Sequence, residues 1–333
     1  MYGNKKILIT GGTGTIGYHL TKRLLGENPA VIRIFSRDEY KQFNMSIDFQ
    51  QDAKKLRFLI GDVRDYQRLL RAMEDIDYVF HLAAMKHVPF CEYNPFEAVQ
   101  TNVLGTQNVI QAAIQSGVSK VLFSSTDKAI SPTNTYGATK LTAERLISAA
   151  EYQKGPKSTV FSSVRFGNVM GSRGSVIPLF TRQILERGSI EVTSLDMIRY
   201  MMTPSQAISL MLKANRLARG GEVFVLKMPI VKLSDLADVM IDEVTRRHNL
   251  RNNVTIKEIG LRPGEKMYEE LMMPDEGQIA LEEKDMFIIP SSFGEKSHAY
   301  PGAAKSGVTS LFEEKPIDKE TLRGWLHAEG LFQ

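Results

Sequence analysis

The fold follows from one segment near the start of the sequence, Lys6-Ile7-Leu8-Ile9-Thr10-Gly11-Gly12-Thr13-Gly14-Thr15-Ile16-Gly17. Its apolar start predicts a buried strand over residues 6–10, and the amphipathic pattern over 17–25 predicts the helix that follows. The spaced glycines allow a tight turn, a close approach of the backbone to a pyrophosphate, and close helix–sheet packing. Glycines also serve ordinary turns, but this placement between a strand and a helix favours dinucleotide binding.

The first half of the chain alternates short apolar runs with longer helical patterns. Such alternation is typical of βαβ units and predicts an α/β fold built on a doubly wound, Rossmann-type parallel sheet. The predicted strands are 6–10, 31–36, 56–61, 78–83, 120–125 and 159–165. The predicted helices between them are 17–25, 65–73, 102–116 and 139–152.

The second half of the chain has a looser rhythm and predicts a smaller α/β substrate-binding part. Thr203, Pro204 and Gln206 make a good helix start, and this helix leads to a strand over 222–227. We therefore predict a dinucleotide-binding domain over 1–166, to which 203–227 returns. The substrate-binding part comprises 167–202 and 228–333, with a Gly-, Pro- and Ser-rich loop or lid over 287–307.

Composition and charge exclude several classes of protein. Forty-two Lys and Arg residues face 38 Asp and Glu residues, so the 333-residue chain has a net charge of only +4, which excludes a nucleic-acid binder driven by bulk charge. No run approaches the roughly 20 apolar residues of a membrane span, and the lone Cys91 favours a reducing compartment. The six histidines show no metal-ligand spacing. We predict a cytoplasmic protein with no membrane span, no nucleic-acid partner and no metal.

The residues after the second predicted strand indicate which dinucleotide is bound. Ser36 and Arg37 offer a hydroxyl and a guanidinium that suit a 2′-phosphate, and Lys41 adds charge, so we favour NADP. Asp38 and Glu39 follow directly after Arg37, which leaves NAD open. The predicted cofactor contacts are Gly11, Thr13, Gly14, Thr15, Ile16, Gly17, Ser36, Arg37, Lys41, Asp62, Val63, Ala83, Ala84, Lys86, Tyr136 and Lys140.

The fifth predicted strand leads into Thr126-Asp127-Lys128, and Tyr136 with Lys140 follows. Residues four apart share one face of a helix, so the ammonium of Lys140 would lower the pKa of the Tyr136 phenol. A tyrosinate would then accept a hydroxyl proton while hydride leaves for a nicotinamide. Asp127 and Lys128 add the acid and the base that an elimination requires, although a Thr-Asp turn beside a solvated lysine has the same sequence.

These features resemble the extended short-chain dehydrogenase/reductases. In particular, the chain is similar to the UDP-N-acetylglucosamine 4,6-dehydratases of bacterial polysaccharide and flagellin-glycan synthesis, above all the soluble, C5-inverting enzymes of the pseudaminic acid pathway. The resemblance covers residues 1 to about 275. It rests on Ser36-Arg37-Asp38-Glu39, Ala83-Ala84-Met85-Lys86-His87-Val88-Pro89, Ser125-Thr126-Asp127-Lys128-Ala129, Tyr136-Gly137-Ala138-Thr139-Lys140, Arg165-Phe166-Gly167-Asn168-Val169, Arg173-Gly174-Ser175-Val176-Ile177-Pro178 and Arg262-Pro263-Gly264-Glu265-Lys266.

The resemblance implies a role for each reacting residue. Tyr136 with Lys140 would oxidise the sugar C4 hydroxyl, whose oxygen Thr126 holds. The resulting ketone acidifies the C5 hydrogen, which Lys128 would remove, while Asp127 protonates the departing C6 hydroxyl. Hydride then returns to C6, so the cofactor is restored in each turnover and no external redox partner is needed.

The resemblance also implies a UDP-sugar substrate, and we predict a homo-oligomer. Three alternatives stay open: a C5-retaining dehydratase, a nucleotide-sugar 4-epimerase, and a non-catalytic NADP-sensing regulator on the same fold. An epimerase has no use for Asp127 and Lys128, and a regulator has none for the Tyr136 and Lys140 pair. The predicted substrate contacts are Lys86, Thr126, Asn168, Ser175, Val176, Arg199, Arg262 and Glu265.

Overall fold

The computed structural model describes residues 1–250, 253–291, 300, 302–306 and 315–332. The strands in this part of the chain are β1 (Lys6–Thr10), β2 (Val31–Ser36), β3 (Leu56–Ile60), β4 (Tyr78–His81), β5 (Lys120–Ser124), β6 (Val160–Arg165), β7 (Asn168–Val169), β8 (Ser189–Val192), β9 (Ile198–Met202), β10 (Val223–Leu226), β11 (Ile230–Lys232), β12 (Thr255–Glu258), β13 (Leu281–Glu283), β14 (Met286–Ile289) and β15 (Ala304–Lys305). The α-helices are α1 (Thr15–Leu25), α2 (Glu39–Asp48), α3 (Tyr66–Ala72), α4 (Val88–Tyr93), α5 (Pro95–Ala98), α6 (Gly105–Ser116), α7 (Thr135–Gln153), α8 (Val176–Arg187), α9 (Pro204–Leu217), α10 (Leu233–Arg247), α11 (Pro274–Ile279) and α12 (Lys319–Ala328).

The main sheet has ten strands within the described residues, in the order β15-β13-β14-β10-β6-β5-β4-β1-β2-β3. Strands β1 to β6 and β10 run parallel, whereas β13, β14 and β15 are antiparallel additions at one edge. The strand order reverses between β1 and β4, so a crevice opens outside their carboxyl ends, where such sheets bind ligands. This topology confirms the predicted doubly wound α/β fold.

β1 is buried on both faces, which explains its unbroken apolar run. Ile7 and Ile9 belong to the core on one side of the sheet and Leu8 to the core on the other, because successive side chains of a strand point to opposite faces. A third core, which includes Phe180 and Val239, lies between α8, α10 and α12. Two small sheets, β11-β9-β7 and β12-β8, contribute side chains to that third core.

Two of the helices that differ in extent from the prediction bear on the site. α7 begins four residues earlier than predicted because the side chain of Asn134 accepts a hydrogen bond from the Gly137 N–H at 2.8 Å. The predicted helix over 102–116 is α6 preceded by a π-helix, Val99–Leu104. In that π-helix the Asn102 amide donates to the Met85 carbonyl and to the Thr139 hydroxyl, each at 3.0 Å, and so ties the segment after β4 to α7.

The prediction of a loop or lid over 287–307 is wrong at both ends, because Phe287–Ile289 belong to β14 and Ala304–Lys305 form β15. Met286–Ile289 forms β14, which pairs with β10 in the main sheet, and all four of its side chains are buried. Four apolar residues in a row are enough to fill an interior strand position, although the Gly, Pro and Ser residues after them suggested a loop. Residues 292–299, 301 and 307 lie outside the described residues. The division of the chain into two domains stays a prediction.

The described helices were also compared with the length and hydropathy of a membrane span. None of them is both long and apolar enough to cross a bilayer.

Candidate active site

The glycine-rich turn between β1 and α1 is shaped for close approach to a ligand. Gly11 has φ +67° and lies so near Ala83 that a Cβ atom there would stand 2.8 Å from the Ala83 backbone. A Cβ at Gly17 would stand 2.4 Å from the Gly12 carbonyl oxygen. α1 has no side-chain cap and no acidic residue in its first turn, so its N-terminal N–H groups remain suited to an anion.

A cavity of about 660 Å³ opens above this turn, which is the size of a nucleotide-cofactor site. Every predicted cofactor contact except Tyr136 and Lys140 is among its lining residues. The predicted contacts that line it are Gly11, Thr13, Gly14, Thr15, Ile16, Gly17, Ser36, Arg37, Lys41, Asp62, Val63, Ala83, Ala84 and Lys86.

The acidic residue after β2, Asp38, already serves as the N-cap of α2. The Asp38 carboxylate accepts a hydrogen bond from the Lys41 N–H at 2.9 Å and pairs with the Lys41 ammonium at 2.6 Å. These hydrogen bonds to Lys41 hold the pKa of Asp38 below its ordinary value. Arg37 remains exposed over 57% of its side chain, with Nη1 at 3.5 Å from Asp62.

Arg173 lines the same cavity but is not among the predicted site residues. Its guanidinium donates to the Thr13 carbonyl, and its N–H donates to the Thr15 hydroxyl at 3.1 Å. The Lys86 ammonium donates to the Arg173 carbonyl at 3.0 Å. The segment before α8 is thereby fastened across the glycine-rich turn.

The predicted reacting groups form one connected chain of polar contacts after β5. The Thr126 hydroxyl donates to Asp127 Oδ1 at 2.8 Å, and the Lys128 ammonium lies 3.0 Å from the same oxygen. The Tyr136 hydroxyl is hydrogen-bonded to Thr126. Asp127 is completely buried, and its Oδ2 has no hydrogen-bond partner among the described residues.

Lys140 does not act on Tyr136 as predicted. Its ammonium donates to the Ser124 carbonyl at 2.5 Å and lies 3.9 Å from the centre of the Phe123 ring. Burial lowers the pKa of Lys140 to about 7, so its positive charge is weakened. Burial also raises the pKa of Tyr136 to about 12, and the lowering by Thr126 and Lys128 does not offset it.

The predicted substrate residues lie at the start of α8, on β7 and β9, in the loop between β12 and α11, and after β4 and β5. Ser175 is the N-cap residue of α8, which starts at Val176, and its buried hydroxyl has no partner among the described residues. Arg199 on β9 donates to the carbonyls of 198, 266 and 267 at 2.8 to 2.9 Å. Its guanidinium therefore supports the loop over residues 259–273, which lies between β12 and α11. Asn168 is on β7, and Arg262 with Glu265 forms a turn in that loop. Their roles as substrate contacts stay predictions.

The same loop carries Glu269, which is not among the predicted site residues. The Gly264 carbonyl accepts hydrogen bonds from Thr133 and Asn134, each at 3.0 Å, and so docks the loop against the start of α7. Glu269 is thereby buried, 5% exposed, with Oε1 at 3.7 Å from the Lys128 ammonium. Glu265, Glu269 and Glu270 follow Arg262-Pro263-Gly264 in the sequence. Only the fold brings Glu269 close to Lys128.

Comparisons with known proteins agree with this geometry. A family model described as "Polysaccharide biosynthesis protein" matches residues 7–291. A relative from Campylobacter jejuni named UDP-N-acetylglucosamine 4,6-dehydratase (inverting) is 41% identical and covers 99% of this chain and 100% of its own. A relative from Rickettsia massiliae named UDP-glucose 4-epimerase is 42% identical over 87% of this chain and 84% of its own.

The solved structure of Pen from Bacillus thuringiensis is 56% identical, with a TM-score of 0.93 and coverage of 99% of both chains. The similarity therefore continues past residue 275, where the sequence analysis placed its end. The predicted family is confirmed, and the chain belongs to the polysaccharide biosynthesis protein family.

Proposed function

We propose that this protein is a UDP-N-acetylglucosamine 4,6-dehydratase that inverts C5. The observation that carries the proposal is the lysine between two carboxylates at the end of β5: Lys128 lies against Asp127 and Glu269. An epimerase moves a hydride to and from C4 and never breaks the C5–H bond. A buried amine–carboxylate set beside Tyr136 supplies what C5–H removal and loss of the C6 hydroxyl require.

In the first half-reaction Tyr136 accepts the proton of the C4 hydroxyl, and Thr126 holds that oxygen. A bound NADP⁺ supplies the hydride acceptor, and its positive charge favours the tyrosinate against the effect of burial. Lys140, held at the Ser124 carbonyl, would orient the bound cofactor.

In the second half-reaction Lys128 removes the C5 proton, and the C6 hydroxyl leaves as water. Asp127 supplies the proton for that water. Its Oδ1 is occupied by three hydrogen bonds, so Oδ2 is the oxygen left to face the departing hydroxyl. The missing side chain at Gly167, where a Cβ would stand 3.0 Å from Oδ2, leaves space beside it.

The cofactor we propose is NADP. Asp38, the acid that would otherwise bind a ribose 2′-hydroxyl, is occupied as the cap of α2 and by the Lys41 ion pair. Arg37 and Arg173 remain as positive groups on the cavity wall, beside the Lys41 ammonium that is paired with Asp38. Guanidinium groups suit a 2′-phosphate better than a neutral ribose.

We place the UDP-sugar at the carboxyl end of the sheet, beside the nicotinamide. The buried Ser175 hydroxyl at the start of α8, together with the α8 N-terminus, suits a diphosphate oxygen. Asn168, Val176, Arg199, Arg262, Glu265 and Lys86 complete the proposed contacts. The enzyme is proposed to act in the cytoplasm.

We also propose a homo-oligomer. α4 and α5 expose three aromatic side chains close together in sequence: Phe90 and Phe96 are each 67% exposed and Tyr93 is 88% exposed. Aromatic side chains in such number on one short stretch are typical of a surface that a second copy covers.

Incubation with UDP-N-acetylglucosamine in deuterated water, followed by NMR, tests the function. We expect a 4-keto-6-deoxy product with deuterium at C5 and the configuration at that carbon inverted. A C4 epimer without deuterium would favour the 4-epimerase instead. Retained configuration at C5 would contradict the inversion alone, and an unchanged substrate would contradict the dehydratase.

A further inference from the structure

Glu269 is a buried acid that the reaction as set out above does not use. It is carried by a loop without regular secondary structure, yet that loop is fixed at three points around the reacting groups. The Gly264 carbonyl accepts hydrogen bonds from Thr133 and Asn134, the Lys266 ammonium donates to the Ile130 carbonyl at 3.1 Å, and Arg199 donates to two carbonyls of the loop. The position of Glu269 is therefore imposed by the fold.

The groups around Glu269 make it a partner of the catalytic lysine. Oε1 of Glu269 lies 3.7 Å from the Lys128 ammonium, and Oδ1 of Asp127 lies 3.0 Å from the same ammonium. Arg199 and Lys266 are the other cations that act on the Glu269 carboxyl. Burial raises the pKa of Glu269 above its ordinary value, which makes it a better proton acceptor than an exposed glutamate.

The same arrangement leaves Lys128 in the wrong charge state for a base. Burial alone would favour the neutral amine, but the charges of Asp127 and Glu269 outweigh burial and raise the pKa of Lys128 above its ordinary value. Near neutral pH the resting side chain is therefore an ammonium. An ammonium has no lone pair with which to remove the C5 hydrogen, so its proton must first go elsewhere.

We propose that Glu269 is a positioning residue for the elimination: its carboxylate takes one proton from the Lys128 ammonium, which leaves the neutral amine that attacks the C5 hydrogen. This inference rests on the proposed dehydratase function. In the transfer one N–H bond of Lys128 breaks and one O–H bond of Glu269 forms. The amine then takes the C5 proton, and the C5–H electron pair forms the C5–C6 double bond. The C6 hydroxyl leaves as water with the proton that the Lys128 ammonium passes on through the Asp127 carboxyl, 3.0 Å away.

The consequence is a distinctive pH dependence. With Glu269 present, the pair Lys128 and Glu269 shares one proton, so the reactive form is reached without loss of a proton to solvent and its fraction stays constant near neutral pH. In Glu269→Gln the amine must lose its proton to solvent. The elimination rate then rises about tenfold per pH unit until the pH reaches the pKa of Lys128. That pKa is lower in this variant because the Glu269 anion is gone.

The experiment measures elimination separately from oxidation. Mixing NADP-loaded enzyme with UDP-N-acetylglucosamine forms reduced cofactor as C4 is oxidised, and the absorbance of the reduced nicotinamide decays as hydride returns to C6. For Glu269→Gln at neutral pH we expect normal formation of reduced cofactor and a decay slowed by about 10²-fold or more, the usual contribution of an acid–base group. Lys128→Ala gives the fully blocked reference.

Two further variants complete the design. Glu270→Gln, at the adjacent acid, is the matched control and should decay like the wild type. Glu269→Asp keeps a carboxylate and should keep the flat pH profile, even if its decay is slower. A slow decay of Glu269→Gln with a flat pH profile, an unchanged decay, or a pH-dependent Glu269→Asp would each overturn the inference. If the wild type itself neither reduces its cofactor nor forms product, the proposed function fails and the inference fails with it.

Discussion

At the scale of single residues, ion pairs decide which groups remain available to a ligand. Asp38 and Lys41 neutralise each other at 2.6 Å, and Asp62 is shared between Arg64 at 2.7 Å and Arg37 at 3.5 Å. Arg37 has the longest of these contacts and an exposed side chain. It is therefore the group we expect to turn towards a 2′-phosphate.

Replacing Arg37 by Ala tests that expectation. A charge-assisted hydrogen bond contributes about 1.5–3 kcal/mol, so the Kd for NADP should rise by about 10- to 100-fold. The Kd for NAD should change by less than about threefold, because NAD has no 2′-phosphate. Fluorescence titration of both cofactors measures the two values, with the exposed Lys54→Ala as control. Equal weakening of both cofactors would mean that Arg37 does not bind the 2′-phosphate.

At the scale of elements, a buried ion cluster holds the catalytic helix. Arg165, at the end of β6 and fully buried, contacts Glu144 of α7 at 2.6 Å and Glu276 of α11 at 2.8 Å. It also donates to the Leu271 carbonyl at 2.9 Å. α7 carries the predicted tyrosine and lysine, so this cluster fixes their helix to the segment that follows Glu269.

Replacing Arg165 by Met should destabilise the protein by about 3–5 kcal/mol, because two carboxylates remain buried without their partner. Arg145→Met is the control: Arg145 is exposed and 3.9 Å from Glu276, so its loss should cost less than about 1 kcal/mol. Urea unfolding measures both free energies. Equal losses in the two variants would show that the cluster does not hold the helix.

The pH dependence of that stability follows from Glu276. Burial raises the pKa of Glu276, but the hydrogen bonds and charge of Arg165 outweigh burial and lower it. A lowered pKa contributes stability above the unfolded-state pKa, and this contribution is lost as the pH falls through the folded-state pKa. The wild type should therefore lose more stability on acidification than Arg165→Met.

The elements that the sequence predicted well are those whose signal is local. β1 and its turn were predictable because an apolar run, a glycine series and a helix follow one another directly. β14 was missed because four apolar residues alone do not identify a strand, and the pairing with β10 that forms it is not visible in the local sequence. Glu269 was missed for the same reason, since its partner Lys128 is distant in sequence and is reached only through a loop without secondary structure.

At the scale of the whole molecule, one edge of the sheet collects the chemistry. The glycine-rich turn, the residues after β5 and the start of α7 all meet outside the carboxyl ends of the parallel strands. The segment before α8 and the loop with Glu269 close over this edge from the smaller sheets. This shared edge is where we propose that the cofactor and the sugar lie side by side, as a reaction that returns its own hydride requires.

The return of the hydride is the central claim, and a label tests it most directly. UDP-N-acetylglucosamine that carries deuterium at C4 is incubated with the enzyme, and the product is examined by NMR and mass spectrometry. We expect a 4-keto product with the deuterium at C6, carried there by the cofactor of the same active site. Deuterium that returns to C4, or that is lost to solvent or to added cofactor, would contradict it.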